Sequence, residues 1–396
     1  MSQDIVAACR EASGKEFPKP GLRRVSAWVE VDLAGLGRNV ALIRADLPAA
    51  VGLMYVAKDD AYGLGAVPAV RTVLGAGGDS VAVVTLDEAA ELRAAGIRAP
   101  ILLMGERLEE EWPDVLELDL EPAIGSVAAA EALNRLATRM GRRVAVHLKI
   151  NTGMNRFGFP WREVEQWSVR LARLDRLEVA GVFGHFAQSD EPDKTYARTQ
   201  SGRFEGCLDR LREAGISPCR RHHANSGGAL ELPESHFDLV RVGILAHGVY
   251  PSASCRRVAG LEPVMTVKAR VVAEQPVDPG DSVGYGMRWT ATRRSRIGVM
   301  PVGYGDGYPR LRNEGRVLIR GRYVPVVGGV TMDALMVDLT EVPEAGVGDE
   351  GVLMGRQGGM EITPYELARL KRSVPYEILL GWRHRLPRVY LEGGGA

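Results

Sequence analysis

The chain has 396 residues, 45% of them apolar, enough to bury two or three domains or one large barrel with a companion domain. Lysine plus arginine equals aspartate plus glutamate, 50 each, with no basic block interleaved with aromatics and no acidic tail; a general nucleic-acid binder and a basic membrane-surface protein are excluded. Cys9, Cys207, Cys219 and Cys255 form no CxxC pair and the seven histidines no HExxH, which leaves a reduced, cytoplasmic, metal-independent protein as the expectation.

Residues 1–26 contain no apolar stretch long enough for a secretion signal and read as a loosely ordered extension. No run of about 18 apolar residues occurs, so no membrane span is expected. From about residue 28 to 245 short apolar runs alternate with helical patterns. The strand candidates are "AWVEVDL", "VGLMYVA", "SVAVV", "PILLM", "RVAVHLKI", "EVAGVFG" and "FDLVRVG". Between them lie segments such as "TLDEAAELRAAG", where Thr85 and Glu88 form a capping-box pattern and Gly96 can end the helix. The runs are apolar throughout, as parallel strands covered on both faces should be. This predicts an α/β chain with a (β/α)8 TIM-like barrel over residues 27–258, an open doubly wound sheet being the rival. After about residue 260 the runs "VMTVKARVVAEQPV", "RIGVMPVGY", "GRVLIRGRYVPVVGG" and "ALMVDL" predict a mostly β domain over 259–396, with a hairpin turn at Gly321–Arg322.

The polar residues that stand out follow the barrel strands: Lys58 after "GLMYVA", Arg156 after "VHLKI", His185 after "VAGVFG", Asn225 and Ser226 in "HHANSGG", and Arg241 with Gly243 at the end of "FDLVRVG". Taken singly, Lys58 is a solvated lysine and Arg156 a loop-anchoring cation. In a barrel those strand ends converge on one mouth, where active sites are built. His222 and His223, adjacent on a strand, point to opposite faces and make a poor start for a metal site.

At these residues the chain resembles the alanine racemases, pyridoxal-phosphate (PLP) enzymes of barrel-plus-β-domain type. "YVAKDDAYGLG" and "KINTGMNRFG" are similar to the family's two signatures, and "GHFAQSDE", "ANSGG", "VRVGI", "VGYGMRW", "PVGYGDGYPR", "GGVTMD" and "YEILLGWRHRLPRVY" follow in the family's order, over about residues 27 to 391. The resemblance implies interconversion of L- and D-alanine for cell-wall precursors. It implies that Lys58 holds PLP covalently, a half-buried lysine at a barrel mouth being desolvated and nucleophilic. Tyr62, Asn225, Ser226 and the backbone of Gly243 and Ile244 are then expected around the cofactor and its phosphate, glycine permitting close approach. Arg241 is expected to face the pyridine nitrogen and keep it unprotonated, since arginine retains its own proton; a neutral His185 could accept from Arg241. The two bases that racemisation needs would be Lys58 and Tyr285, the latter on its own an ordinary strand tyrosine. Arg156 and the backbone of Met332 would bind the substrate carboxylate, Tyr304 would line the entrance, and Lys149 matches a lysine carbamylated in many members. The resemblance further implies a homodimer with shared sites.

Asp60 and Leu64 replace the Asn and His of the lysine signature, Asn151 replaces an Asp near Lys149, and His247 stands where tyrosine is usual. An ungapped alignment of the tail places His384 where many members have a tyrosine touching the phosphate. His384 therefore raises a racemase of another amino acid, such as serine, as the alternative. A specialised non-racemising PLP enzyme or PLP-binding protein on the same scaffold is a second. A decarboxylase would need a cysteine from the β domain, and Cys255 precedes that domain.

Overall fold

The structure, a computed structural model, describes residues 26–391; nearly all of the predicted extension lies outside the described residues. Eight parallel strands, Gly52–Val56, Ser80–Val83, Ile101–Leu103, Glu121–Ile124, Val144–Asn151, Leu177–Phe183, Arg220–His222 and Leu239–Val242, pair in chain order, and the last returns to pair with the first. The remaining seam is drawn together by the Asp238 N–H donating to the Arg221 carbonyl at 3.0 Å and the Arg241 N–H to the Ala224 carbonyl at 3.0 Å. Arg221 also grips the Asp238 carboxylate through Nε and Nη2, both at 2.7 Å. The result is a nearly closed barrel.

Two of its strands, "EPAI" and "RRH", are absent from the sequence-based set. Both are short and carry polar residues that the barrel interior uses, so neither shows an apolar run. One predicted barrel strand belongs elsewhere. Ala27–Asp32 pairs antiparallel with Met265–Arg270 and parallel with Arg388–Leu391, so it joins the C-terminal sheet. Its burial alternates residue by residue. That period marks a one-sided sheet, where barrel strands such as "SVAV" are buried throughout.

The C-terminal domain is mainly antiparallel, in the order Ala273–Val277, Ser295–Met300, Leu335–Asp338, Arg322–Val327, Arg316–Ile319, Glu350–Gln357, Met265–Arg270. The hairpin turn is Arg320–Gly321, one residue earlier than expected. Ile319 pairs with Arg322, and φ is 53° and 71° at the two turn residues, as a type I′ turn requires. Two helices follow, Pro364–Lys371 and Pro375–Gly381. The second lies over the barrel segment after Lys58: a Cβ on Gly63 would sit 3.1 Å from the Leu379 carbonyl, and Arg388 Nε donates to the Gly63 carbonyl at 3.0 Å. The β-domain tail thus seals one flank of the barrel mouth.

Candidate active site

At the C-terminal ends of the strands lies a cavity of about 370 Å³. Lys58, half-buried, stands on its wall directly after strand Gly52–Val56. The backbone then turns the wrong way. Asp59, Asp60, Ala61 and Tyr62 all have φ between 52° and 54°, one turn of left-handed helix, a conformation costing L-residues roughly 1–2 kcal/mol each. Surrounding contacts hold it. Glu88, the acid of the capping box on Thr85, accepts from the Asp59 N–H at 2.7 Å as well as from the Val84 and Thr85 N–H groups. The Asp60 carboxylate accepts from the Ala66 N–H at 2.6 Å. Gly65, at φ 96°, lies where a Cβ would strike the Tyr390 hydroxyl. The turn swings Tyr62 back beside Lys58 into the same cavity.

Arg241 is buried at the cavity floor and its guanidinium is nearly saturated by protein acceptors. Nη1 donates to His222 Nδ1 and to the His222 carbonyl, both at 3.0 Å. Nη2 donates to the Gly184 carbonyl at 2.9 Å, to His185 Nδ1 at 3.1 Å and to the His223 carbonyl at 3.2 Å. Burial pushes its pKa down to about 9, so it stays cationic at neutral pH. His185 is held well below the ordinary histidine range, first by burial and then by the positive charges of Arg241, Lys149 and Arg156. It is therefore the neutral acceptor that fixes Arg241. His222 points into the barrel, whereas His223 faces the other way, its ring centroid 4.0 Å from that of Phe186 and 4.8 Å from that of Phe204.

A tight concave corner forms where Tyr62, Ser226 and Gly243 meet. The Gly243 N–H donates to Ser226 Oγ at 3.2 Å, and a Cβ on Gly243 would sit 2.5 Å from the Tyr62 hydroxyl. Asn225 caps the short helix that Ser226 begins. Its side-chain oxygen accepts from the Gly228 N–H at 2.9 Å and from Ser189 Oγ at 2.7 Å. Ile244, buried, follows Gly243 in a single 3-10 turn. The tyrosine that completes this corner is Tyr376, on the first turn of the helix Pro375–Gly381, its ring 6.2 Å from that of Tyr62. His384 is exposed and does not line the cavity. The stretch "YEILLGWRHR" offers both Tyr376 and His384, and only the fold shows that the helix docks with the earlier one inward.

The opposite side of the cavity carries Lys149, Arg156 and Glu106. Lys149 is buried, donates to the Ile150 carbonyl at 2.9 Å, and has its pKa pushed down to about 7 by burial and by Arg241 and Arg156. Arg156 is exposed at the cavity rim, over the Phe157 ring at 5.0 Å. Asn151 shapes the loop that presents it, accepting from the Gly153 N–H at 3.1 Å and the Asn155 N–H at 3.0 Å. Glu106 is missed by the sequence reading, although an acid directly after strand "PILLM" has the same placement as the residues singled out. Burial raises its pKa, against the Gly125 N–H, Arg107 and Lys149.

Besides His384, three more expected site residues are not brought to this cavity. Tyr285, 82% exposed, Met332, 53% exposed, and Tyr304 stand on the β domain. Tyr285 and Tyr304 line a separate polar cleft with Arg288, Arg310 and Arg312. Asp306 and Asp333 are tied together by Arg385, at 3.4 Å and 2.6 Å, a structural role.

Residues 31–251 match the family profile described as alanine racemase, N-terminal domain, and residues 264–390 the profile described as alanine racemase, C-terminal domain. The alanine racemase of Symbiobacterium thermophilum is 44% identical over 364 residues, covering 92% of this chain and 96% of the relative. That of Halothermothrix orenii is 39% identical over 364 residues, with coverages of 92% and 96%. Among solved structures, the alanine racemase of Clostridium difficile superposes with a TM-score of 0.88 at 33% identity, covering 93% of this chain and 96% of that one. That of Bacillus anthracis, solved with bound L-Ala-P, has a TM-score of 0.88 at 32% identity, with coverages of 94% and 96%.

Proposed function

The chain belongs to the alanine racemase family, and we propose that it interconverts L- and D-alanine with pyridoxal phosphate bound at the barrel mouth. The observation that carries this reading is the cavity itself, which joins a half-buried lysine, a buried arginine whose Nη1 and Nη2 are engaged by protein acceptors, and a glycine-floored corner under two tyrosines. These residues fit the cofactor. The corner at Gly243, which a Cβ would fill, takes the phosphate, with Tyr62, Tyr376, Ser226 and the backbone N–H groups of Gly243 and Ile244 as donors. Lys58 is the anchoring amine. Arg241 presents the ring nitrogen with a cation that holds its proton.

Bound there, pyridoxal phosphate would supply an electron sink for charge developing at the substrate α-carbon. The chain's own residues do the rest. Arg156, at the open rim, pairs with the substrate carboxylate. Lys58 Nζ takes or returns the α-proton on one face. The other face needs a second base, and Tyr285 of the same chain lies outside the cavity. We therefore assign that role to Tyr285 of the partner subunit, with Met332 and Tyr304 of the partner subunit beside it, in a two-fold homodimer with two shared sites. The exposure of Tyr285 and Met332 supports this arrangement.

A pKa near 7 leaves much of Lys149 unprotonated at neutral pH, the state an amine needs to take up carbon dioxide as a carbamate. The carbamate's negative charge beside Arg156 and Arg241 would relieve the crowding of cations. The case for a serine-preferring enzyme rested on a histidine in place of the tyrosine near the phosphate; Tyr376 supplies a tyrosine there. Incubating purified protein with a panel of L-amino acids and separating products by chirality tests the assignment. Fastest turnover of alanine is expected. Faster turnover of another amino acid, or none of any, overturns it.

A further inference from the structure

Behind Arg241 a chain of hydrogen bonds runs down the inside of the barrel. His222 Nδ1 accepts from Arg241 at 3.0 Å, and His222 Nε2 meets His147 Nδ1 at 2.8 Å. His147 Nε2 then meets Glu121 Oε2 at 2.9 Å, and Arg220 clamps both oxygens of Glu121 at 2.8 and 2.7 Å. The strands are shaped for this. Alternation along Val144–Asn151 puts His147 on the face that Lys149 turns to the cavity, and a slip in the pairing with Leu177–Phe183 between Val146 and His147 sets Gly181 opposite it. Gly181 faces that ring, and a Cβ there would strike His147 Nδ1. His222 and Phe183 stack at 5.0 Å with an interplanar angle of 5°.

The proton positions follow from the two ends. Glu121 can only accept, because His147 and Arg220 hold its pKa down to about 2 against its burial. His147 must therefore carry its proton on Nε2. Burial keeps His147 neutral, so its Nδ1 is bare and accepts. His222, also neutral, donates from Nε2, and its own Nδ1 is bare for Arg241. Arg241, a donor at every nitrogen, fits only that end. With Nη1 and Nη2 both engaged by protein acceptors, Nε–H is the donor left for the cavity; among the described residues no acceptor is recorded for it. Reversing the chain would put a His222 Nδ1–H against an Arg241 N–H.

We propose that Glu121 is a positioning residue for the cofactor ring: through His147 and His222 it fixes the proton on Nε2 of both imidazoles, and so fixes which guanidinium N–H of Arg241 faces the ring nitrogen. This rests on the cofactor assignment above, but its first test does not depend on the substrate.

The holoenzyme labelled with 15N-histidine is read by long-range 15N–1H correlation at neutral pH. His147 and His222 are expected as single, neutral Nε2–H tautomers; either ring found as Nδ1–H or doubly protonated overturns the proposal, with no variant required. In Glu121→Gln the amide can accept or donate, so the polarity of the chain is no longer imposed. Mixed tautomers at both rings are expected, together with a rise of about tenfold in the ratio of keto acid formed to alanine racemised, the scale of one hydrogen bond to a charged group. Tautomers unchanged in Glu121→Gln would show that Glu121 does not set them. Tautomers that change while the ratio and the cofactor's absorption spectrum do not would show that the chain stops short of the ring. A wild type that binds the cofactor and racemises nothing would instead strike the functional reading.

Discussion

Lys149 is the position where the structure makes the most quantitative claim. Its amine is pushed from 10.5 to about 7 by burial beside Arg241 and Arg156. Below about pH 7 both the folded and unfolded chains carry the proton, and the folded state bears the full cost of a buried cation. Between about 7 and 10.5 the folded chain releases the proton first, so the cost fades and stability rises with pH. Above 10.5 neither state is charged and the cost is gone. The difference of 10.5 minus 7 sets a ceiling of roughly 5 kcal/mol at 1.36 kcal/mol per unit. Relaxation and water at the cavity should reduce it to about 2–3 kcal/mol. Lys149→Met keeps the shape and removes the charge. Urea unfolding in carbonate-free buffer should show the variant more stable than wild type by about that amount at pH 6, and equal to it by about pH 10.5. Bicarbonate at pH 8 should stabilise the wild type and leave the variant unmoved. A stability difference independent of pH would refute the burial argument, whatever the activity of the variant.

Borohydride reduction of the holoenzyme followed by peptide mapping should place the label on Lys58; a label on Lys149 would exchange their roles. Arg241→Glu should retain the cofactor yet shift the products from racemisation toward keto acid, because a carboxylate favours a protonated ring nitrogen; an unchanged product ratio contradicts the role given to Arg241. Tyr376→Phe should weaken cofactor binding about tenfold, as expected for one hydrogen bond to a charged phosphate, while His384→Ala should leave it within about twofold; the reverse pattern would restore the ungapped alignment of the tail. Lys58→Ala and Tyr285→Phe, each inactive alone, should recover roughly a quarter of the sites after equal mixing, since half the dimers are mixed and each holds one intact site. Confirmed subunit exchange with no recovered activity would break the shared-site assignment.

The barrel was largely legible because its strands are covered on both faces and read as plain apolar runs. What escaped did so for physical reasons. "EPAI" and "RRH" contribute Glu121, Arg220 and His222 to a polar column inside the barrel, and that column removes the hydrophobic signal by which strands are found. "AWVEVDL" was readable as a strand, and its residue-by-residue alternation already distinguished it from its supposed neighbours. Its partners, Met265–Arg270 and Arg388–Leu391, lie more than two hundred residues away in the chain, beyond the reach of any local pattern.

The site divides along the same line. Residues borne on strand ends, Lys58, His185 and Arg241, could be placed from the chain alone, since the barrel decides where a strand end points. Residues whose position depends on how two parts of the chain dock could not, as Tyr376 and His384 illustrate. The two departures at Leu64 and His247 make the same point from the other side. In sequence they are unrelated losses, a histidine missing from the lysine loop and a histidine replacing a tyrosine. In the fold both line one small cavity, between the lysine loop and the turn Ile244–His247. His247, neutral with its pKa pushed down to about 3 by burial, meets the Tyr55 hydroxyl at 2.7 Å, and its ring lies edge-on to Tyr62 at 5.3 Å. A polar ring thus packs against the Tyr62 side chain from the 3-10 turn that follows the neighbouring strand Leu239–Val242. Two departures that are unrelated in the sequence thus meet at one cavity behind the lysine loop, and one of them, His247, braces both Tyr55 and Tyr62.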